Sequence, residues 1–148
     1  MRIAIASDHA AVALKATLGA WLREQGYSVT DLGPSAHESV DYPDYGFALA
    51  RAIEHGSADF GIALCGSGIG ISIAVNRNPA ARCALVSEPY SAKLARRHND
   101  ANVIAMGARL IGEDMAKSCI HAFLETEFEG GRHQARVAKL SHFSKEPA

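Results

Sequence analysis

Short apolar runs alternate with longer amphipathic stretches along the whole chain, and this alternation most narrows what it can fold into. RIAIAS (2–7), SVTDL (28–32), DFGIALC (59–65), RCALVS (82–87) and NVIAMG (102–107) have strand length and mostly apolar character. Between the first two, AAVALKATLGAWLREQG (10–26) places Val12, Leu14, Leu18, Trp21 and Leu22 near helical spacing and stops at Gly26. DYGFALARAIEHG (44–56), IGISIAVNR (69–77) and PYSAKLARRHN (89–99) predict three more helices, and residues 108–124 and 132–140 predict two. GPSAHESVDYP (33–43) reads as a loop. Apolar strands separated by helices imply an α/β fold, a five-stranded parallel sheet with helices on both faces.

The 148 residues favour one domain, residues 1–148, in which SHFSKEPA (141–148) forms a loose tail. A net charge of −1 argues against a nucleic-acid binder. Asp8 and His9 interrupt the N-terminal apolar run before it reaches the length of a signal-peptide core, and no later run could span a bilayer. Cys65, Cys83 and Cys119 are widely spaced and odd in number, which fits a reducing compartment. The expectation is a cytoplasmic protein with no membrane or nucleic-acid partner.

In parallel α/β sheets, ligands bind beyond the carboxyl ends of the strands. Those ends carry Asp8-His9, the stretch ALCGSGIG (63–70), Ser87-Glu88 and Met106-Gly107. The glycines of ALCGSGIG let a backbone approach a ligand closely, and the helix that follows adds the positive end of its dipole. Walker A requires a lysine after its last glycine, where Ile71 stands, and the G-x-G-x-x-G fingerprint is one residue short. Glu88 lies near the offset of a ribose-binding acid, so a nucleotide-binding module stays open. Cys65 sits at a strand end before a helix, a setting that favours a thiolate nucleophile or base. Cys83 and Cys119 read as small buried hydrophobes.

Other groups are ambiguous by themselves. Asp8 is equally a helix N-cap or a ligand-facing carboxylate. His98 and Asn99 end a predicted helix, where a histidine can merely complement the dipole. Arg132 and Arg136 lie four apart on one predicted helical face, either solvated or clamping a phosphate, and Arg109 follows the fifth strand. Asp41 and Tyr42 fall in the long loop, where binding residues gather. No spacing typical of a metal site occurs.

Taken in order, ASDHAAVALK, VDYPDYG, LCGSGIGISIAVNR, RRHNDANVIAMGARLIG and the late arginine pair resemble the ribose-5-phosphate isomerase B family, which includes galactose-6-phosphate isomerase subunits. The resemblance runs from residue 3 to about 140. It implies a Rossmann-like three-layer α/β/α sandwich, no cofactor or metal, and a homodimer whose active sites are shared between subunits. It implies that Cys65 is the general base for aldose–ketose interconversion through an enediolate. Some relatives use a downstream glutamate instead, but GISIAVNR (70–77) holds no acid. Gly66, Ser67, Gly68, Ile69 and Gly70 match the anion hole, and Ser67 stands where many relatives have threonine. His98 matches the acid of furanose ring opening, with Asp8 and Ser67 nearby. His9, Arg132 and Arg136 match phosphate binders, and Tyr42, Asn99 and Arg109 further substrate contacts. Ribose 5-phosphate is the expected substrate; a six-carbon substrate such as allose or galactose 6-phosphate is the alternative within the same chemistry.

Overall fold

A computed structural model describes residues 1–142; of the expected tail, residues 143–148 lie outside the described residues. The strands are β1 (Arg2–Ser7), β2 (Ser28–Asp31), β3 (Phe60–Cys65), β4 (Cys83–Leu85) and β5 (Val103–Gly107). They form one parallel sheet in the order β2-β1-β3-β5-β4. The helices are α1 (Val12–Glu24), α2 (Tyr42–Glu54), α3 (Ile69–Val75), α4 (Pro89–Asn99), α5 (Glu113–Leu124) and α6 (Gln134–Leu140). Short 3-10 turns at His9–Ala11 and Gly131–His133 precede α1 and α6. Among the described residues, no helix is long and apolar enough to cross a membrane.

Successive strand side chains point to opposite faces, so each central strand feeds two cores. Ile3, Ile5, Ile62, Leu64, Ile104 and Met106 face α1, α4 and α5, where Leu18, Leu22, Ala92, Ile120 and Phe123 cover them. Ala4, Ala6, Ala63, Cys65 and Ala105 face α2 and α3, against Leu49, Ile71 and Val75. The second face is paved mainly with small side chains, which brings α2 and α3 close to the sheet. After β1 the chain leaves toward the first face through α1; after β3 it leaves toward the second through α3. The crevice between β1 and β3 is therefore the topological switch point, the place where such sheets open a binding site.

Several boundaries differ from the sequence reading. Pro43, the second residue of α2, has a φ suited to a helix start, so α2 begins at Tyr42 and takes that residue out of the expected loop. Residues 108–112 are not helical. The Ala108 and Arg109 N–H groups donate to the Cys65 and Gly66 carbonyls at 2.9 and 3.0 Å, which ties this segment to the glycine loop. Arg132 falls in the 3-10 turn and Arg136 in α6, so the two arginines do not share one α-helix. Cys119 is fully buried as expected, whereas Cys83, on the short edge strand β4, is only half-buried.

Candidate active site

The crevice holds a cleft of about 290 Å³ lined by Asp8, Tyr42, Cys65, Gly66, Ser67, Gly70, Arg109 and Leu110. Asp8 follows β1, Cys65 ends β3 and Arg109 follows β5, three adjacent strands of the sheet. The Asp8 N–H donates to the Leu64 carbonyl at 3.1 Å, which joins the two strand ends. Asp8 is also the cap the sequence allowed: its Oδ1 accepts from the Ala10 N–H at 2.9 Å.

An ion pair with a buried lysine secures this end of the sheet. Lys15, 2% exposed, reaches both carboxylate oxygens of Asp31 at 2.6 Å. Asp31 Oδ1 also accepts from the Gly33 N–H at 2.8 Å, and the Gly33 carbonyl accepts from the Ser7 N–H at 3.1 Å. The chain thus connects α1, β2 and the residue that precedes Asp8.

The glycine loop curls back on the cysteine. The Gly68 N–H donates to Cys65 Sγ at 3.1 Å, and the Ile69 N–H donates to Ser67 Oγ at 3.2 Å. Gly68 makes this turn at φ +78°, and an added Cβ would lie 2.8 Å from the Met106 carbonyl carbon, so a side chain there meets both strain and backbone. With those two N–H groups engaged, Gly70 and Ile71 carry first-turn N–H groups of α3 that their own helix cannot pair, and no side chain caps them. Tyr42 packs its ring against Gly70, where a Cβ would sit 2.7 Å from the ring, and the Arg109 guanidinium lies over Gly66 at 3.0 Å from such an atom. His9 follows Asp8, and its Nδ1 lies within hydrogen-bond distance of both the N–H and the carbonyl oxygen of Val40, at 3.2 and 3.3 Å, which ties the ring to the loop before α2.

His98, Asn99 and Arg136 are elsewhere. They line a separate cavity of about 350 Å³ with His133, Val137 and Leu140. Asp100, at φ 45°, ends α4 and takes Arg96 at 2.9 Å and Arg82 at 3.2 Å. Arg96 is buried, donates to the Ala101 carbonyl at 2.6 Å and covers the Phe60 ring at 4.8 Å. This network pins the helix end that carries His98 and Asn99. Arg132 is exposed on the neighbouring turn. One chain therefore divides the expected site residues into two groups and does not bring them together.

His133 escaped the sequence reading. Only its place between Arg132 and Arg136 hinted at it. His98, Glu129 and His133 hold ligand-type atoms within 4.8 Å of one another, the one such trio among the described residues. The two imidazoles lie nearly parallel, so their in-plane lone pairs run side by side instead of converging, and Glu129 is paired with Arg97 at 3.0 Å. The trio suits a metal ion poorly.

Three further side chains settle into structural roles. Glu88 caps α4, accepting from the Tyr90 and Ser91 N–H groups at 2.6 and 2.7 Å; the Ser91 hydroxyl, then these amides, hold its carboxyl below the ordinary value. With both carboxylate oxygens taken up by the cap, Glu88 is not free to bind a ribose, which removes the main support for a nucleotide module. Burial pushes the Cys83 thiol up to about 12 and the Cys119 thiol up to about 11, so neither is a nucleophile near neutral pH.

A family model described as Ribose/Galactose Isomerase matches residues 3–140. The chain belongs to this family. It is 45% identical to ribose-5-phosphate isomerase B of Escherichia coli over 140 residues, 95% of this chain and 94% of that one. It is 43% identical to D-erythrulose-4-phosphate isomerase of Pectobacterium atrosepticum, covering 97% and 95% of the two chains. The fold superposes on ribose-5-phosphate isomerase B from Thermotoga maritima with a TM-score of 0.94 at 47% identity, over 96% of this chain and 98% of that one. The Clostridium thermocellum enzyme gives the same TM-score at 45% identity, covering 96% of each chain. The five-stranded α/β architecture read from the sequence is that of these isomerases, and the chain is a sugar-phosphate isomerase.

Proposed function

We propose that the chain interconverts ribose 5-phosphate and ribulose 5-phosphate, with Cys65 as the base. The observation that carries this is Cys65, buried at the end of β3, which lines the same cleft as Asp8, Tyr42 and Arg109 and whose Sγ accepts the Gly68 N–H at 3.1 Å. Cys65 removes the C2 proton of the open aldose, the electron pair moves to form the enediolate with its charge on O1, the O2 hydroxyl proton passes to O1, and the carbon-bound proton returns at C1 as O2 becomes the carbonyl. The oxygen that becomes negative needs preset donors; losing one such donor typically costs about 2.7–4 kcal/mol of barrier. The loop from Gly66 to Gly70, with Ile71, has the N–H groups for that role.

The furanose must open first. His98 protonates the ring oxygen as the C1–O4 bond breaks, while the anomeric hydroxyl gives its proton to Asp8 and becomes the C1 carbonyl. Ser67 shares the cleft with Asp8. His9, Arg132 and Arg136 take the phosphate, whose binding energy is remote from the reacting carbons. Tyr42, Asn99 and Arg109 complete the contacts.

This assignment needs two copies of the chain, since His98, Asn99 and Arg136 lie in a different cavity from Cys65. We propose a homodimer in which each site draws on both subunits. Its support is an apolar strip beside the cleft: Ile69 and Ile73, one turn apart on α3 and 50% and 54% exposed, with Leu85 of β4 at 46% against Gly68. Exposed apolar patches of this kind mark association surfaces.

The test is ketose formation from a panel of four-, five- and six-carbon aldose phosphates by the pure, reduced protein. Ribose 5-phosphate should be turned over with the highest kcat/KM. Absence of turnover on it would defeat the proposal, and preference for allose 6-phosphate would move the activity to the six-carbon reading.

A further inference from the structure

His98 and His133 come from elements well separated in sequence yet stack face to face. His98 is the next-to-last residue of α4, and His133 closes the turn before α6. Their ring centroids are 4.5 Å apart and their planes 16° from parallel. His133 is 7% exposed, and its Nε2 is buried with no hydrogen-bond partner among the described residues. A buried polar nitrogen without a partner is unfavourable, and far more so when charged.

The charged neighbours of the pair come from every element around it. Arg97 stands on α4, Glu129 before the turn, Arg132 in the turn and Arg136 on α6. Arg97 and Glu129 are paired at 3.0 Å. Burial, followed by His98 and Arg132, holds the His133 imidazole below the usual histidine range; Glu129 opposes this and Arg136 adds to it.

We infer that His133 is a positioning residue: its stacked, buried ring sets the plane of the His98 imidazole. The inference rests on the isomerase reading above, in which His98 donates a proton to the ring oxygen. A flat, immobile neighbour orients the donor without hydrogen-bonding to it, so both nitrogens of His98 stay available to substrate and solvent. A proton on His133 would set a cation in a buried site beside His98 and two arginines, which burial and those neighbours disfavour.

The test combines histidine titration by NMR with kinetics. His98→Asn removes a positive neighbour, so the His133 midpoint should rise toward the ordinary value. An unmoved midpoint overturns the contact between the two rings on which the inference stands. For kinetics, erythrose 4-phosphate is the control: its phosphate occupies O4, so it cannot close a furanose, and one relative is named for the corresponding four-carbon ketose. His133→Ala should lose about 10–100-fold in kcat on ribose 5-phosphate through misorientation, with KM near wild type. Turnover of erythrose 4-phosphate should be retained. His133→Phe, which keeps a flat ring, should recover most of the loss. Equal losses on both substrates, or no recovery with Phe, would reduce His133 to a residue of the fold. If the Ala variant does not fold, the Phe variant and the titration decide. The titration needs no turnover, so failure of the isomerase reading and failure of this inference are separately visible.

Discussion

The Cys65 cleft and the His98 cavity are built by different means. The cleft sits on strand ends whose positions the sheet dictates: Asp8, Cys65 and Arg109 follow adjacent strands and are joined by backbone hydrogen bonds from Asp8 to Leu64 and from Arg109 to Gly66. The cavity hangs on a helix end, a 3-10 turn and a seven-residue helix, held by side-chain ion pairs at Asp100 and Glu129 and by one ring stack. A sheet places reacting atoms with little freedom, which suits a base that must meet a carbon-bound proton. Helix ends and turns are more easily reshaped, which suits groups that grip a substrate and open its ring.

The sharpest way to break this comparison is at the base. Cys65→Ala should lower kcat by about 10²–10⁴-fold, the usual contribution of general base catalysis, while a binding assay still detects sugar phosphate. Near-native turnover would place the base elsewhere. Mixing Cys65→Ala with His98→Asn subunits after denaturation and refolding should then restore part of the lost activity, because a mixed dimer holds one intact pair of regions. If the mixture stays as inactive as its parents, the sites are not shared.

Smaller effects separate the two regions further. Arg132→Ala and Arg136→Ala should each raise KM about 10- to 100-fold, the loss of one charge-assisted hydrogen bond, with modest change in kcat. An unchanged KM in both would return them to a solvated surface. Asp31→Ala leaves Lys15 buried without its partner. Removing one member of a buried pair costs about 3–5 kcal/mol, and the half-exposed Asp31 points to the lower end; denaturant unfolding should show it, with the cleft side of the sheet losing amide protection first. The smallest effect is expected at the other thiols. With thiols at about 12 and 11, Cys83 and Cys119 are almost wholly protonated near neutral pH, and their labelling by iodoacetamide should rise only as pH climbs toward those values. Cys65 should be labelled with loss of activity, and substrate should protect it; rapid labelling of Cys83 near neutrality would contradict the burial argument.

The sequence by itself determined the sheet and the strand-end half of the candidate site. Apolar runs of strand length and helical spacing are local properties, and the rule that ligands gather at carboxyl ends of parallel strands converts them into positions for Asp8 and Cys65. What it could not determine depends on groups distant along the chain. Pro43 moved Tyr42 into a helix, and the ring then reached Gly70. Glu88 looked free to bind a ribose until the amides of Tyr90 and Ser91 closed on it. Arg132 and Arg136 matched one helical spacing, but a 3-10 turn intervened. His133 had no local signal, because its stacking partner lies 35 positions earlier and only tertiary packing brings the two rings together. Periodicity records which face of an element is buried; only the folded chain records what meets it there, since those contacts arise from packing between elements and carry no pattern of their own.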